Sequence, residues 1–232
     1  MLRKTIFICM VCVMALAFGQ IAGAVALIEQ KEIKTENINV LVPNVKNDKK
    51  SPAIAKINEA LYKDATKYLD EFKQTLADDV KEEGLSAVKE RYIFTGSYEV
   101  KFNNKNFVSI INKGFLYTGG AHGNTWKRAV NANLETGEIY KLSDIFKTGS
   151  PYKNRLNASI KRQIKEHQDW KDSLDFKGVE DDTKFYITGE VLVIFYDEYE
   201  IGPYVVGAPE FYIPCRDIDE YFKDDFNAKM YI

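Results

Sequence analysis

A glycine-rich segment with one histidine is where the sequence most readily suggests chemistry. Residues 119–124 read Gly-Gly-Ala-His-Gly-Asn and stand between two runs that are typical of strands. The imidazole of His122 titrates near physiological pH, so in an exposed loop it could be a metal ligand or a general base. The alternative is structural, because glycines permit unusual φ angles and an imidazole can bond to backbone groups. We interpret the segment as a structural loop without a metal site, formed by Gly119, Gly120, His122, Gly123 and Asn124.

A second segment combines aromatic and acidic side chains. Between Phe195 and Tyr204 tyrosines are interspersed with aspartate and glutamate, and Gly202-Pro203 interrupts the run. Tyrosine rings supply rigid contact area, and carboxylates can orient a cationic protein or a sugar. The alternative is that the tyrosines pack on a sheet while the acids face water. Because glycine and proline indicate an exposed turn, we predict that the ligand-binding residues are Tyr196, Glu198, Tyr199, Glu200 and Tyr204.

No other grouping in the sequence predicts a reaction. The Gly-x-Ser-x-Gly pattern of a serine hydrolase is absent, and the acidic run 180–182 lacks the spaced oxygen ligands of a calcium loop. His167 follows a helical apolar stripe and is interpreted as helix packing. Cys215 ends an apolar run, where a buried thiol is commoner than a nucleophile. We therefore expect no catalytic residue and no cofactor.

The N-terminus predicts export. Two basic residues precede an apolar run over residues 5–18, and small residues follow at 22–26. This is the order of a secretory signal peptide, here 1–26, with cleavage after Ala24 or Ala26. An uncleaved anchor is the alternative, because apolar residues continue to Ile28. We expect an extracytoplasmic protein, periplasmic or secreted, that is membrane-bound only if the segment is uncleaved.

Composition narrows the class of partner. Export would remove Cys9 and Cys12, so that the mature fold could form no internal disulfide through Cys215. The formal net charge of −2 would become about −4. Because there is no basic excess to hold phosphates, nucleic acid is not expected as a partner.

Periodicity in the first half predicts a strand, one helix and a meander. Alternating apolar residues over 33–42 indicate a strand closed by Pro43. Ser51-Pro52 then starts a single long amphipathic helix with an apolar stripe from Ile54 to Val80. Three antiparallel strands follow, over 92–102, 107–117 and 125–134.

The second half repeats this economy. Ser150-Pro151 starts a helix, strands are predicted over 185–187 and 191–195, and an edge strand interrupted by glycine and proline over 205–213. The whole order predicts an α+β fold of two small, closely packed subdomains, each an antiparallel sheet with a long helix on one face. We expect them to span 27–130 and 131–232.

Three groups of residues together resemble a known extracytoplasmic module. They are the loop 119–124, the pair Leu-Glu-Thr-Gly-Glu (134–138) and Leu-Ser-Asp-Ile-Phe (142–146), and the segment 199–211. The module is shared by the sensor region of RsiV-type lysozyme-binding anti-sigma factors and the non-catalytic N-terminal part of PdaC-type deacetylases. The resemblance identifies 27–130 as PdaC N-terminal-like and 131–232 as RsiV C-terminal-like. It implies binding or sensing at the cell envelope, with a lysozyme-like protein or peptidoglycan as partner.

The sequence also departs from both types. It shows no cytoplasmic segment before the apolar run and none of the histidine-rich aspartate motifs of a polysaccharide deacetylase. We therefore predict a secreted or periplasmic, non-enzymatic binding or sensor module of the bacterial envelope. The alternative is a cell-wall hydrolase that uses His122 with nearby carboxylates. A deep pocket bringing His122 within hydrogen-bond reach of Asp or Glu would favour the hydrolase, and a shallow tyrosine-lined surface would favour binding.

Overall fold

The structure is a computed structural model that describes residues 25–230. Apart from Val25 and Ala26, the predicted signal peptide lies outside the described residues, as do Cys9 and Cys12. Within 25–230, no helix combines the length and the apolar character that crossing a membrane requires. The described helices and strands are β1 (Ile28–Lys34), β2 (Ile38–Val45), α1 (Pro52–Ala65), α2 (Leu69–Glu83), α3 (Leu85–Val88), β3 (Tyr92–Asn103), β4 (Phe107–Thr118), β5 (Asn124–Asn133), α4 (Tyr152–Glu166), β6 (Phe185–Ile187), β7 (Val191–Phe195), β8 (Glu210–Pro214) and α5 (Asp224–Met230).

Over the described residues, the first half of the chain forms a five-stranded sheet in the order β1-β2-β3-β4-β5. The antiparallel meander of β3, β4 and β5 confirms the prediction for this region. The strand predicted over 33–42 is instead a hairpin, in which β1 ends at Lys34 and β2 continues past Pro43. Proline is tolerated there because β2 pairs with β3 only from Ile38 to Val40, so no ladder bond to β3 is lost.

The pairing of β2 with β3 is parallel, which departs from the antiparallel sheet that was expected. The helices α1, α2 and α3 connect these two strands and carry the chain back to the start of the sheet. A crossover of this kind delivers the second strand in the same direction as the first.

The single long helix that was predicted is two helices, α1 and α2, separated at residues 66–68. Ile57 of α1 packs in one cluster with Val45, and Phe72 of α2 packs in another with Phe94. A twisted sheet presents these two patches at different angles. The break therefore lets one apolar stripe cover both ends of the sheet, which periodicity alone did not predict.

Helix α4 packs on the three-stranded sheet of the second half, whose described order is β6-β7-β8. Its buried residues confirm the predicted stripe and are Tyr152, Leu156, Ile160 and Ile164. The chain predicted as a strand over 205–213 forms a 3-10 turn at Tyr204–Val206 before β8 begins at Glu210. The prediction that His167 packs with the stripe is wrong. His167 follows the last turn with extended backbone, and its exposed ring stacks on Trp170 with centroids 3.9 Å apart.

The outer edge of β8 is bonded by a side chain of α4. The amide nitrogen of Gln163 donates to the Tyr212 carbonyl, and the amide oxygen of Gln163 accepts from the Tyr212 N–H, both at 3.0 Å. Gln163 thus takes the place of a neighbouring strand at this residue.

The two sheets meet through buried polar groups as well as apolar ones. Ser109 of β4 donates to Asn131 of β5 at 2.7 Å and accepts from the Ile187 N–H of β6 at 3.1 Å. Asn131 donates to the Phe185 carbonyl at 2.8 Å. The closely packed α+β fold is thus confirmed, and these bonds fix one sheet against the other. The division of the chain at residue 130 stays a prediction.

Candidate functional site

The glycine-rich loop connects β4 to β5. Gly119 and Gly120 have φ of +86° and +123°, in the region that favours glycine. Gly123 meets a different requirement, because a Cβ there would lie 2.2 Å from the ring of Phe115. The first two glycines therefore permit the backbone course, and the third leaves space for an aromatic ring.

His122 is exposed and makes two contacts. Its Nδ1 donates to the carbonyl of Gly123 at 3.1 Å, which fixes the ring within the loop. Its ring stacks on Tyr204, with centroids 4.7 Å apart and planes 21° apart. Among residues 25–230, no aspartate or glutamate carboxylate is hydrogen-bonded to this imidazole. The histidine therefore connects the loop to the tyrosine-rich segment.

The stacking continues from Tyr204 to Tyr199, whose centroids are 5.5 Å apart. Tyr199 is 58% exposed and Tyr204 is 43% exposed. We call His122, Tyr204 and Tyr199 the aromatic stack. It joins the two segments that the sequence analysis treated separately, and it presents ring surface to solvent beside Val205, which is 87% exposed.

Tyr199 has φ of +65°, which is uncommon for a residue other than glycine. The turn around it is closed on both sides. The Glu200 N–H donates to the Asp197 carbonyl at 3.2 Å, and the Asp197 N–H donates to the Glu200 carboxylate at 2.7 Å. Strained residues persist where their surroundings over-determine them, so this turn holds the Tyr199 ring outward.

Asp197 is the ionic anchor of the turn. Arg128 donates to its carboxylate at 2.7 Å and Lys184 donates to the same oxygen at 2.8 Å. Burial raises the pKa of Asp197, but the bonds from Lys184 and Arg128 more than offset burial and hold the pKa below its ordinary value. Lys184 also pairs with Glu200 at 2.5 Å. The segment that carries the tyrosines is thus tied to β5 through Arg128 and to the chain before β6 through Lys184.

A cleft of about 490 Å³ lies between α2, the ends of β4 and β5, and residues 197–198. We call it the acidic cleft, because its lining contains three carboxylates and no lysine, arginine or histidine. Its lining residues include Tyr68, Phe72, Trp126, Glu71, Asp197 and Glu198. Asn124 of the glycine-rich segment also lines it. The cleft and the aromatic stack therefore draw on the same two segments of chain.

Trp126 is the largest side chain in the wall of the acidic cleft and is 4% exposed. A Cβ at Gly114 would lie 2.6 Å from Cε2 of this indole, so the glycine in β4 makes room for it. The indole Nε1 has no hydrogen-bond acceptor among the described residues. An N–H donor without an acceptor is unusual at a buried position.

The predicted ligand-binding residues do not all reach one surface. Tyr199 and Tyr204 are exposed in the aromatic stack, Glu198 lines the acidic cleft, and Glu200 is engaged by Lys184. Tyr196 is 6% exposed and packs edge-on against Phe176 and Phe211. Burial raises the pKa of Tyr196 to about 12. This ring therefore belongs to the core and lies outside the exposed surface.

Sequence reasoning missed the residues that hold the site in place. Arg128 alternates with apolar residues of β5 and reads there as a solvent-facing position, although its Nη2 donates to the Tyr68 hydroxyl at 2.8 Å. Lys184 and Trp126 carried no pattern that pointed to their partners. No group of three or more His, Cys, Asp or Glu within 25–230 could hold a metal ion.

Comparison with known protein families gives two matches. Residues 29–125 match the family model described as Deacetylase PdaC, and residues 143–216 match the model described as Protein of unknown function (DUF3298). The first match ends at the start of β5, and the second contains α4, β6, β7 and β8.

Two proteins of Bacillus subtilis (strain 168) are similar over most of the chain. The peptidoglycan-N-acetylmuramic acid deacetylase PdaC is 25% identical over 202 residues, which cover 84% of this chain and 41% of the deacetylase. The anti-sigma-V factor RsiV is 28% identical over 207 residues, which cover 84% of this chain and 69% of that protein. The chain thus spans less than half the length of the deacetylase that it matches.

Two crystal structures of DUF3298 family proteins share the fold. One, from Bacteroides fragilis NCTC 9343, has a TM-score of 0.55 at 20% identity and covers 90% of this chain and 98% of its own. The other, from Pseudomonas aeruginosa PAO1, has a TM-score of 0.58 at 16% identity and covers 88% and 96%. With the two family matches and the two relatives, they identify this chain as an RsiV/PdaC-like module, in which a PdaC-type segment is followed by a DUF3298 segment.

Proposed function

We propose that this chain is a non-enzymatic binding module of the bacterial cell envelope, exported by its signal peptide. Its partner in this proposal is a cationic protein of the lysozyme type, which the sequence resemblance implies. The relatives support an envelope setting, since PdaC is named for its action on peptidoglycan. The name of RsiV is that of a regulatory factor, which supports a module that binds rather than catalyses.

The observation that carries the proposal is the aromatic stack. Its rings gain little for folding by lying in water, because Tyr199 and Tyr204 keep about half of their surface exposed. Exposed aromatic surface held in a fixed geometry is typical of the residues that dominate protein interfaces. The turn at Asp197 and Glu200 restrains Tyr199 before a partner arrives, which lowers the entropy lost on binding.

Charge near the stack supports a cationic partner. Glu198 and Glu71 have no ion-pair partner among the described residues, and no basic residue lines the acidic cleft between them. Uncompensated carboxylates steer a basic protein toward this face and raise its association rate.

The same geometry gives less support to a hydrolase. Within residues 25–230 the His122 ring bonds to the Gly123 carbonyl and stacks on Tyr204. A general base needs its reacting nitrogen near the proton that it removes and a partner that orients it. The orienting partner here is a backbone carbonyl in an exposed loop, and no nucleophile is hydrogen-bonded to the ring.

The proposal is tested by titrating the exported protein with a panel of lysozymes, and separately with soluble peptidoglycan fragments. Tyr204→Ala and Tyr199→Ala should each weaken lysozyme binding by about tenfold or more, the usual loss at an interface hot spot. Tyr62→Ala is the matched control, because Tyr62 is a 54% exposed tyrosine on α1. Binding of glycan without lysozyme would contradict the proposed partner. Lysozyme binding that survives both stack substitutions in folded protein would contradict the surface.

A further inference from the structure

We propose that the acidic cleft receives one lysine or arginine side chain of the cationic partner. This inference rests on the proposed function and adds to it a concave anchor point beside the exposed aromatic stack. The stack and the cleft are contiguous in the chain, since Glu198 of the cleft precedes Tyr199 of the stack. A basic side chain entering the cleft would therefore belong to a partner that also covers the rings.

The first argument is the contrast among the acidic residues of this region. Asp197, Glu200 and Glu210 are each paired with a lysine or arginine at 2.8 Å or less. Glu198 is half-buried, yet neither it nor Glu71 has an ion pair within the described chain. Partly buried carboxylates are normally paired. The cleft thus holds two negative charges that an external cation can neutralise.

The second argument is the aromatic wall. Tyr68 and Trp126 meet at an angle of 57° with centroids 6.1 Å apart, and Phe72 lies beside them in the lining. Aromatic faces attract ammonium and guanidinium groups, and they also cover the methylene stem that carries such a group. A volume of about 490 Å³ is sufficient for one such side chain with its adjoining peptide group.

The third argument is the unsatisfied donor. Trp126 Nε1 is buried without an acceptor in residues 25–230, and its indole is part of the wall. A peptide that carries a basic side chain also brings carbonyl oxygens, which supply the acceptor that a simple amine lacks. The lining therefore matches a basic residue within a polypeptide better than a free cation.

The experiment uses Trp126 as its own reporter. The sequence contains two tryptophans, so Trp170→Phe leaves Trp126 as the single source of tryptophan emission. The probe is N-acetyl-lysine methylamide, and the neutral comparison is N-acetyl-norleucine methylamide, which has the apolar stem without the amine. Calorimetric titration of the unsubstituted protein repeats the measurement without a tryptophan change.

The lysine probe should bind and change the emission of Trp126, and binding should weaken as salt is raised. Combining Glu71→Gln with Glu198→Gln should weaken it about tenfold or more, since a hydrogen-bonded charge pair is lost. The control is Glu82→Gln, which removes the same charge from an exposed position on α2 and should leave the affinity unchanged.

Equal binding of the norleucine probe, or an affinity unaffected by the double substitution, would overturn the inference. Glucosamine is titrated in parallel, and tighter binding of this amino sugar than of the lysine probe would assign the cleft to a glycan instead. The two proposals fail separately. If lysozymes bind wild type and the double variant equally, only the cleft is wrong. If the lysine probe binds but no lysozyme does, only the proposed partner is wrong.

Discussion

Arg128 and Asp197 form a 2.7 Å ion pair in which their side chains are 17% and 25% exposed. Arg128 lies in β5, and Asp197 begins the turn that presents Tyr199. The second guanidinium nitrogen of Arg128 bonds to the Tyr68 hydroxyl, just before α2. One side chain thus connects the helix layer, the large sheet and the tyrosine-rich segment, so the position of the aromatic stack depends on it.

Replacing Arg128 should therefore affect both stability and binding. We expect Arg128→Met to lower the free energy of unfolding by about 2–4 kcal/mol, because it leaves a partly buried Asp197 with one cation fewer. Urea denaturation measures this change. Lys81→Met is the control, since the exposed pair of Lys81 with Asp78 should contribute less than about 1 kcal/mol. Equal effects of the two substitutions would show that the Arg128 pair is not structural.

The Asp197 pair also predicts a loss of stability in acid. The folded-state pKa of Asp197 lies below its ordinary value of 3.8, so folding stabilises the ionised form. This contribution is complete above the ordinary value and is lost as the pH falls through the folded pKa. Between about pH 5 and pH 2, Asp197→Asn should lose less stability than wild type, as measured by urea denaturation at each pH. Parallel curves for the two proteins would contradict this assignment.

Gly120 is expected to be required for its backbone conformation. Its φ is +123°, and a Cβ there would meet no atom within 4 Å. Gly120→Val should thus strain the backbone without a steric clash and lower the melting temperature by several degrees. Ala121→Val places the same side chain at the next exposed position of the loop and should change the melting temperature little. An unchanged melting temperature for Gly120→Val would contradict the role of the positive φ.

The structure distinguishes the two cleavage sites that the sequence left open. The Ala26 N–H donates to the Asn103 side chain at 3.1 Å, and the same side chain donates to the Ala26 carbonyl at 2.8 Å. Cleavage after Ala26 would remove both bonds, whereas cleavage after Ala24 retains them. We expect mass spectrometry of the exported protein to give Val25 as the N-terminal residue. Recovery of Leu27 or of an intact Met1 as the first residue would contradict this prediction.

Local patterns predicted the elements whose residues contact near neighbours in the chain. The stripe of α4 and the β3 to β5 meander follow from periodicity and turn residues, and both are confirmed. The division of the long helix at residues 66–68 depends on the twist of the sheet beneath it, which the helical period does not encode. The parallel pairing of β2 and β3 depends on where the connecting helices return the chain.

The candidate site shows the same division. The glycine-rich loop and the tyrosine-rich segment each stood out by composition, but nothing in either segment indicates that His122 stacks on Tyr204. Tyr196 shares the composition of its neighbours and is nevertheless buried, because it directly follows β7 and its ring turns toward Phe211. Composition located the segments, and only tertiary packing decided which of their rings reach solvent.

The bonds between Gln163 and Tyr212 bear on how this protein meets copies of itself. An unpaired strand edge is a template on which another chain can add its own strand, and such additions can grow into aggregates. Gln163 already occupies the donor and the acceptor at the middle of β8, and Pro214 at its end has no N–H to offer. An incoming strand would have to displace a side chain anchored on a packed helix. The small sheet is thereby guarded against polymerisation, so a crowded envelope can hold this module at high concentration without linking its copies through β8.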